Sequence, residues 1–346
     1  MNRLLTLFIL SLVLMVTACD QTEKVSGKQG AENEKDHIYE WRVSAISPEE
    51  FPDVQNLIEF KEEVETKTDG RIKLDVYPAN QLGDYTAVYE DIINGTIEMA
   101  LQPLPSQFDS RLELLFVHYL VNNYEEAKEL FAPGSYVFNK LEEINEELGV
   151  KFLGVHVAGL GGVGTIKELK EPEIPGVDKG ALIRVPSIDL YNQTALDLGF
   201  RTVSIPYSEV FQALQTGIAD GWVGGPPVAQ YSETRDVINY YYHYQNLVEA
   251  APLIMSLDIW SELSEEDKNV LTEAANNLTI RGIETAEEND KFYMEELRKE
   301  DIEVIEFSAE ELKEISEYSR KESWPKMEER LGADIVNELL EIYNIE

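Results

Sequence analysis

One spacing occurs twice in this chain. Val88, Ile92, Gly95, Ile97 and Glu98 are matched, interval for interval, by Val210, Leu214, Gly217, Ala219 and Asp220. Each set reads as a short amphipathic helix, a glycine that stops it, a strand and an acidic residue. A chain that uses one helix-to-strand unit in two distant places is expected to hold two lobes of similar plan. Glu98 and Asp220 close the two units. Short acidic side chains often fix a turn or cap a helix, and that role stands here against direct contact with a ligand.

The surrounding pattern sets the fold class. Trp41, Val43 and Ala45 alternate with polar residues as a half-buried strand, and Val54, Leu57, Ile58 and Val64 recur at helical spacing until Asp69-Gly70. Ile72, Leu74 and Val76 then alternate up to Pro78, and a helix is expected from Tyr85 to Ile93. Strand, helix, strand in this order predicts an α/β protein with parallel pairing. Glu125 to Leu148 reads as an acidic helical region, followed by a strand over Val150 to Val157. That strand runs into Gly159-Leu160-Gly161-Gly162-Val163-Gly164, where neither a P-loop Lys-Ser/Thr pair nor dinucleotide-binding spacing follows, so a hinge or crossover between lobes is expected. His156 on the same strand reads as a core or edge histidine, with a ligand contact as the alternative. Ser264 opens a helix with Glu265, Glu266 and Asp267 in its first turn. If unbroken to Glu300 it is about 50 Å long and braces both lobes, with Gly282 as a candidate bend. A strand at Ile302 to Ile305 and a helical end, interrupted near Pro325 and Gly332, complete the chain.

The stretch from Ala181 to Tyr231 carries the candidate site. Leu182, Ile183 and Val185 form a short apolar strand that contains Arg184 and stops at Pro186, which cannot donate to a ladder. Arg184 therefore lies at a strand end, where open α/β sheets bind ligands, and a guanidinium grips a carboxylate through two parallel hydrogen bonds. A salt bridge between structural elements is the competing reading. No nucleophile elbow, zinc-binding helix pair or triad pattern is present, and His37, His118, His156 and His243 are not spaced as a metal cluster.

The chain's 346 residues suffice for two ordinary lobes. With 66 acidic and 29 basic side chains its formal charge is −37, which disfavours nucleic acid and acidic membrane surfaces as partners. The acids are spread over helical faces, as a solvated surface requires. Asn2 and Arg3 precede an apolar run from Leu4 to Val16, too short to span a bilayer comfortably and suited to a secretory signal. It ends in Val16-Thr17-Ala18-Cys19, which resembles a bacterial lipobox. Cys19 is the only cysteine, so no intramolecular disulfide is available and Cys19 is expected to carry a lipid anchor. Residues 20–37 are polar and aperiodic, as a tether would be.

Taken in order, Gly70-Arg71-Ile72-Lys73, Tyr77-Pro78, Gln81-Leu82-Gly83, Ile183-Arg184-Val185-Pro186, Pro206-Tyr207-Ser208-Glu209-Val210-Phe211, Ala213-Leu214-Gln215 and Asp220-Gly221 resemble the substrate-binding proteins of tripartite ATP-independent periplasmic (TRAP) transporters, the dicarboxylate-binding family. The resemblance runs from residue 39 to about 340. It implies a two-lobed, periplasmic-binding-protein-like fold with a cleft between the lobes and a long helix spanning both. On that plan residues 38–160 and about 250–289 form lobe I, and 161–249 and about 290–346 form lobe II. It implies no catalysis, an organic acid as ligand and membrane subunits of a TRAP transporter as partners. The protein is expected to be an extracytoplasmic, lipid-anchored monomer. An ATP-driven importer or a sensor kinase is the alternative destination, and a secreted lipoprotein enzyme the more distant one.

In such families the arginine of the Arg-Val-Pro segment binds the ligand carboxylate, and Arg184 matches it. Tyr207 matches an aromatic that lines the cleft. Sugar-acid binders of the family carry a second arginine where this chain has Gly164, and an asparagine where it has Gly224. Their loss implies a roomier, less polar pocket, with Trp222 and Tyr231 as apolar walls; for Trp222, lobe core is the equal alternative. Tyr85 and Gln102 fall near cleft positions without matching in identity. No cofactor is implied, and a cation bridging protein and carboxylate, as in some relatives, is left open.

Overall fold

The computed structural model describes residues 38–345; Cys19, the apolar leader, the tether and His37 lie outside the described residues. Two mixed sheets organise the molecule. The first has strand order β2-β1-β3-β10-β4, with β1 at Tyr39–Ala45, β2 at Ile72–Tyr77, β3 at Met99–Leu101, β4 at Val150–Leu160 and β10 at Val248–Ser256. The second has order β11-β9-β5-β8-β6-β7. Its strands are β5 (Val163–Thr165), β6 (Leu182–Val185), β7 (Arg201–Ser204), β8 (Gly221–Val223), β9 (Tyr240–His243) and β11 (Glu303–Glu306).

The two sheets share a plan. β1 is flanked in parallel by β2 and β3, and β6 in parallel by β7 and β8. The next neighbour on the β3 or β8 side is antiparallel in both, β10 in the first sheet and β5 in the second. Those two strands are also the exchange points. β4 runs out of the first sheet into β5 of the second, and β9 runs out of the second into β10 of the first. At the crossing Gly161 donates its N–H to Leu247 O (2.8 Å) and receives one from Asn246 (3.2 Å), so the two connections are bonded to each other. The glycine run is thus a crossover, as its composition predicts.

The third brace is the helix Glu265–Lys299, 35 residues without interruption. Ser264 caps it by accepting from Asp267 N, and three acids occupy its first turn. Gly282, expected as a bend, instead lets the helix lie against β4: a Cβ there would sit 3.0 Å from His156 Nδ1 and 3.1 Å from Val157 N. The acidic region after Glu125 splits into two helices, Tyr124–Leu130 and Tyr136–Glu147. Trp324, Met327, Leu331, Ile335, Val336 and Leu339, expected with lobe II, bury their side chains in one cluster with Leu112, Leu115, Phe131 and residues of β4.

Candidate functional site

Arg184 sits near the end of β6, paired to Val203 of β7 and Trp222 of β8. It is 4% exposed, and its Nε donates to Ile205 O at 2.7 Å. No carboxylate among the described residues pairs with it, although 66 acidic side chains are present in the chain. Desolvation lowers its pKa, partly offset by Tyr191 and Tyr207. A buried guanidinium held by one backbone oxygen, with its terminal nitrogens uncommitted, carries a desolvation cost that no carboxylate among the described residues offsets.

Tyr207 stands over it. The ring lies 5.9 Å from Arg184 Cζ and meets Trp222 edge-on at 5.9 Å, and Tyr207 is 53% exposed at the start of the turn Tyr207–Glu209. Tyr85 occupies the corresponding place in the first lobe, three residues before Val88 as Tyr207 is before Val210, and is also exposed. Gln102 lies beside it, buried, donating Nε2 to Tyr85 O at 2.8 Å and leaving its Oε1 without a hydrogen bond.

The other expected residues separate. Trp222 is 2% exposed and packs in the second lobe's core, its indole N–H on Thr234 Oγ1 at 3.3 Å, with an edge toward Tyr207. Tyr231 faces the long helix, 5.5 Å from Tyr293, and carries Arg235 on its ring at 4.8 Å. His156 is buried between Asn56 (2.9 Å) and the long helix, and burial pushes its pKa down to about 4, so it is a neutral packing residue of the first lobe. The roomier space expected beside Gly164 is not there. The side chain of Gln230 fills it: a Cβ at 164 would run into Gln230 Oε1, and Gln230 is fully buried, donating to Gly225 O and accepting from Thr234 Oγ1. Gln230 opens the π-helical turn Gln230–Thr234, a geometry that composition alone does not reveal.

Gly224 lies against Tyr191. Its φ of +123° disfavours any other residue, and a Cβ there would lie 3.4 Å from Tyr191 Cε1. Tyr191, on the helix Asp189–Asp197, was not singled out from sequence. It is 6% exposed, and His118 packs edge-on against it at 4.8 Å; burial holds that imidazole down at about 4, hence neutral. Glu249 on β10 was also missed. Its side chain makes no hydrogen bond or ion pair among the described residues, and burial raises the carboxyl to about 7. The charges of Arg184 and Glu249 act on the same two phenols, those of Tyr191 and Tyr207, in opposite senses.

The acids of the repeated unit are structural. Glu98 accepts from Arg42 N and binds the Arg42 guanidinium, and Asp220 accepts from Leu182 N (2.7 Å) and pairs with Lys167 (2.8 Å). Among the described residues no three His, Cys, Asp or Glu side chains gather to hold a metal ion, and no helix is long and apolar enough to cross a membrane.

Two α/β lobes exchanging strands across a hinge, with an unpartnered arginine buried at a strand end, define a solute-binding receptor. The family model described as bacterial extracellular solute-binding protein, family 7, matches residues 43–330, and the chain belongs to that family, one of extracytoplasmic receptors rather than enzymes. It is similar, at 29% identity over 217 residues, to an uncharacterized protein of Haemophilus influenzae, spanning 62% of this chain and 65% of that one. A TRAP periplasmic solute-binding protein of Ochrobactrum anthropi superposes with a TM-score of 0.78 at 22% identity, covering 88% of this chain and 94% of its own. One from Haemophilus influenzae with bound L-gulonate gives 0.73 at 24%, covering 88% and 99%. These likenesses carry the two-lobed fold with its intervening cleft.

Proposed function

We propose that this receptor captures an organic carboxylate on Arg184 and delivers it to the membrane subunits of a TRAP transporter. The observation that carries the reading is the guanidinium itself, 4% exposed and bonded only to Ile205 O. A carboxylate would take its two terminal nitrogens in a bidentate pair, and lobe closure would strengthen that pair by removing water. On this reading Tyr207 lines the cleft on the second lobe, and Tyr85 and Gln102 are the first lobe's candidates. The relative with bound L-gulonate supports an acid as the ligand class. The same reading places a lipid on Cys19, which tethers a monomer to the membrane surface where its transporter resides.

The test is a thermal-shift screen of the mature protein against mono- and dicarboxylates, with and without calcium, followed by calorimetry of Arg184→Ala. Binding to the native state alone raises the melting temperature by mass action. A shift with an acid that disappears in Arg184→Ala is expected; a shift with neutral or cationic solutes only makes Arg184 structural and sinks the proposal. Incorporation of a labelled fatty acid, lost in Cys19→Ser, tests the anchor, and light scattering tests the monomer.

A further inference from the structure

The second lobe encloses a small cavity whose walls are mostly apolar, Leu198 and Phe200 among them. Three polar side chains also line it, those of His118, Thr194 and Asn246, each no more than 1% exposed. They arrive from three segments. His118 follows the turn Ser110–Phe116, Thr194 lies on the helix Asp189–Asp197, and Asn246 lies in the connection from β9 to β10. Each has one buried polar atom without a hydrogen bond among the described residues: His118 Nε2, Thr194 Oγ1 and Asn246 Oδ1. The hydroxyl of Tyr244, the remaining polar side-chain group on the cavity, is already committed to Pro172 O at 2.8 Å.

The bonding needs of these three atoms are fixed by what surrounds them. His118 Nδ1 lies 3.2 Å from Phe116 O, and a carbonyl only accepts, so Nδ1 carries the proton and Nε2 presents a lone pair. Burial keeps the ring neutral, with its pKa down at about 4. Asn246 Oδ1 is a second acceptor, and the Thr194 hydroxyl has a proton to give. A buried polar atom left without a partner is costly, and one small molecule with two protons to donate and a lone pair to offer would satisfy all three. The space open to the centre of such a molecule is about 10 Å³, room for a single water. A bare cation would also find lone pairs here, but no carboxylate lines the cavity to offset its desolvation.

We infer that this cavity is a binding site for one structural water, which donates to His118 Nε2 and to Asn246 Oδ1 and accepts from Thr194 Oγ1. The water ties the crossing of the two connections to the second lobe. Asn246 is already bonded there through its backbone, donating its N–H to Gly161 O at 3.2 Å and accepting from Tyr119 N at 2.9 Å. Through the water its side chain is joined as well to the helix Asp189–Asp197. His118 meets Tyr191 of that same helix edge-on at 4.8 Å, so the imidazole is fixed by the ring on one hand and by the water on the other. This joint does not depend on which solute Arg184 receives, or on whether it receives one.

The experiment is a crystal structure of the wild-type mature protein at a resolution that shows ordered water, with the melting temperatures of the wild type and Thr194→Val measured alongside. One water peak is expected within about 2.7–3.2 Å of all three atoms. Thr194→Val keeps nearly the same shape and removes the hydroxyl, so it should lower the melting temperature by about 2–4 °C by leaving the water short of a donor. A cavity without density overturns the inference. So does a Thr194→Val protein that melts at or above the wild-type temperature, since taking an orphaned hydroxyl out of a dry site relieves a cost instead of adding one. Should Thr194→Val fail to fold, the wild-type density alone decides between a wet and a dry cavity. Neither result bears on Arg184 as the carboxylate anchor, which the solute screen tests separately.

Discussion

The two lobes repeat one construction and differ in what it is used for. In the first, Glu98 precedes β3 and accepts from the backbone N–H of Arg42 on the parallel neighbour β1; in the second, Asp220 precedes β8 and accepts from the backbone N–H of Leu182 on β6. With these acids aligned, Val43 opposite Met99 corresponds to Ile183 opposite Gly221, and the next rung places Ser44 opposite Ala100 where the other lobe has Arg184 opposite Trp222. In the first lobe that rung carries two small residues. In the second it carries a buried cation and the largest side chain available. On the proposed reading the rung that carries Arg184 is where the second lobe departs from the first, two residues beyond an acid that in both lobes accepts a backbone N–H of the neighbouring strand.

Replacing that rung is the strongest way to break the comparison. Arg184→Ser gives the second lobe the residue the first already has, and it should abolish carboxylate binding at a cost of about 2–5 kcal/mol by calorimetry, the range for removing one partner of a buried charge pair. Ser44→Ala should leave affinity unchanged. An equal loss from both would mean that the lobes bind symmetrically and that the arginine has no special part.

The next effect concerns stability rather than affinity. Glu249 keeps its proton in the folded protein up to about pH 7, against an ordinary value of 4.5, so its contribution is present in acid and lost as pH rises through about 7. Glu249→Gln removes that loss. Without ligand it should stabilise the protein by about 2–3 kcal/mol at pH 8 and leave it unchanged at pH 4, by urea denaturation. The charged neighbour that bears on the phenols beside it is Arg184, with Glu233 near Tyr207. A stability gain independent of pH would show that Glu249 acts through packing and not through its charge.

How far the sequence foretold this follows from local physics. Arg184 was legible because an apolar strand stopped by proline announces its own end, and the repeated unit was legible because helix spacing and a terminal glycine are local signals. Tyr191 was not, because its spacing on the helix Asp189–Asp197 is that of any core residue, and it is buried in the second lobe's core against His118. Glu249 was not, because Val248–Ser256 is an almost unbroken apolar run without alternation and its register is set by β4, about ninety residues earlier in the chain. The family comparison of Gly164 with an arginine suggested a void, yet a glutamine 66 positions away in sequence fills it.

That filling can be tested directly. Gly164→Ala forces Gln230 aside and should cost about 1–3 kcal/mol, as overpacking does, with much of the cost relieved in the background of Gln230→Ala. Additive losses would mean that the two positions are not in contact. In the first lobe no glycine holds the equivalent place in the ladder, since Leu253 and Ile254 of β10 face Leu101 and Ala100, and the corresponding substitutions would be ordinary core changes.

The smallest effects belong to the feature the lobes share. The Arg42–Glu98 pair and the Lys167–Asp220 pair both have partly exposed cations, with 44% side-chain exposure at Arg42 and at Lys167. Arg42→Ala and Lys167→Ala should each destabilise the protein by no more than about 1 kcal/mol, because solvent screens such pairs. Neither should change ligand affinity, since each acid is already committed to the backbone N–H of its neighbouring strand. The pair of variants sharpens the comparison because it asks whether the two acids are equivalent in use as well as in place. If Lys167→Ala weakens the ligand several-fold while Arg42→Ala does not, Asp220 is electrostatically part of the site and the second lobe departs from the shared plan before Arg184 is reached. If both leave affinity unchanged, the acid fixes the frame in each lobe and the specialisation begins at the rung that carries Arg184.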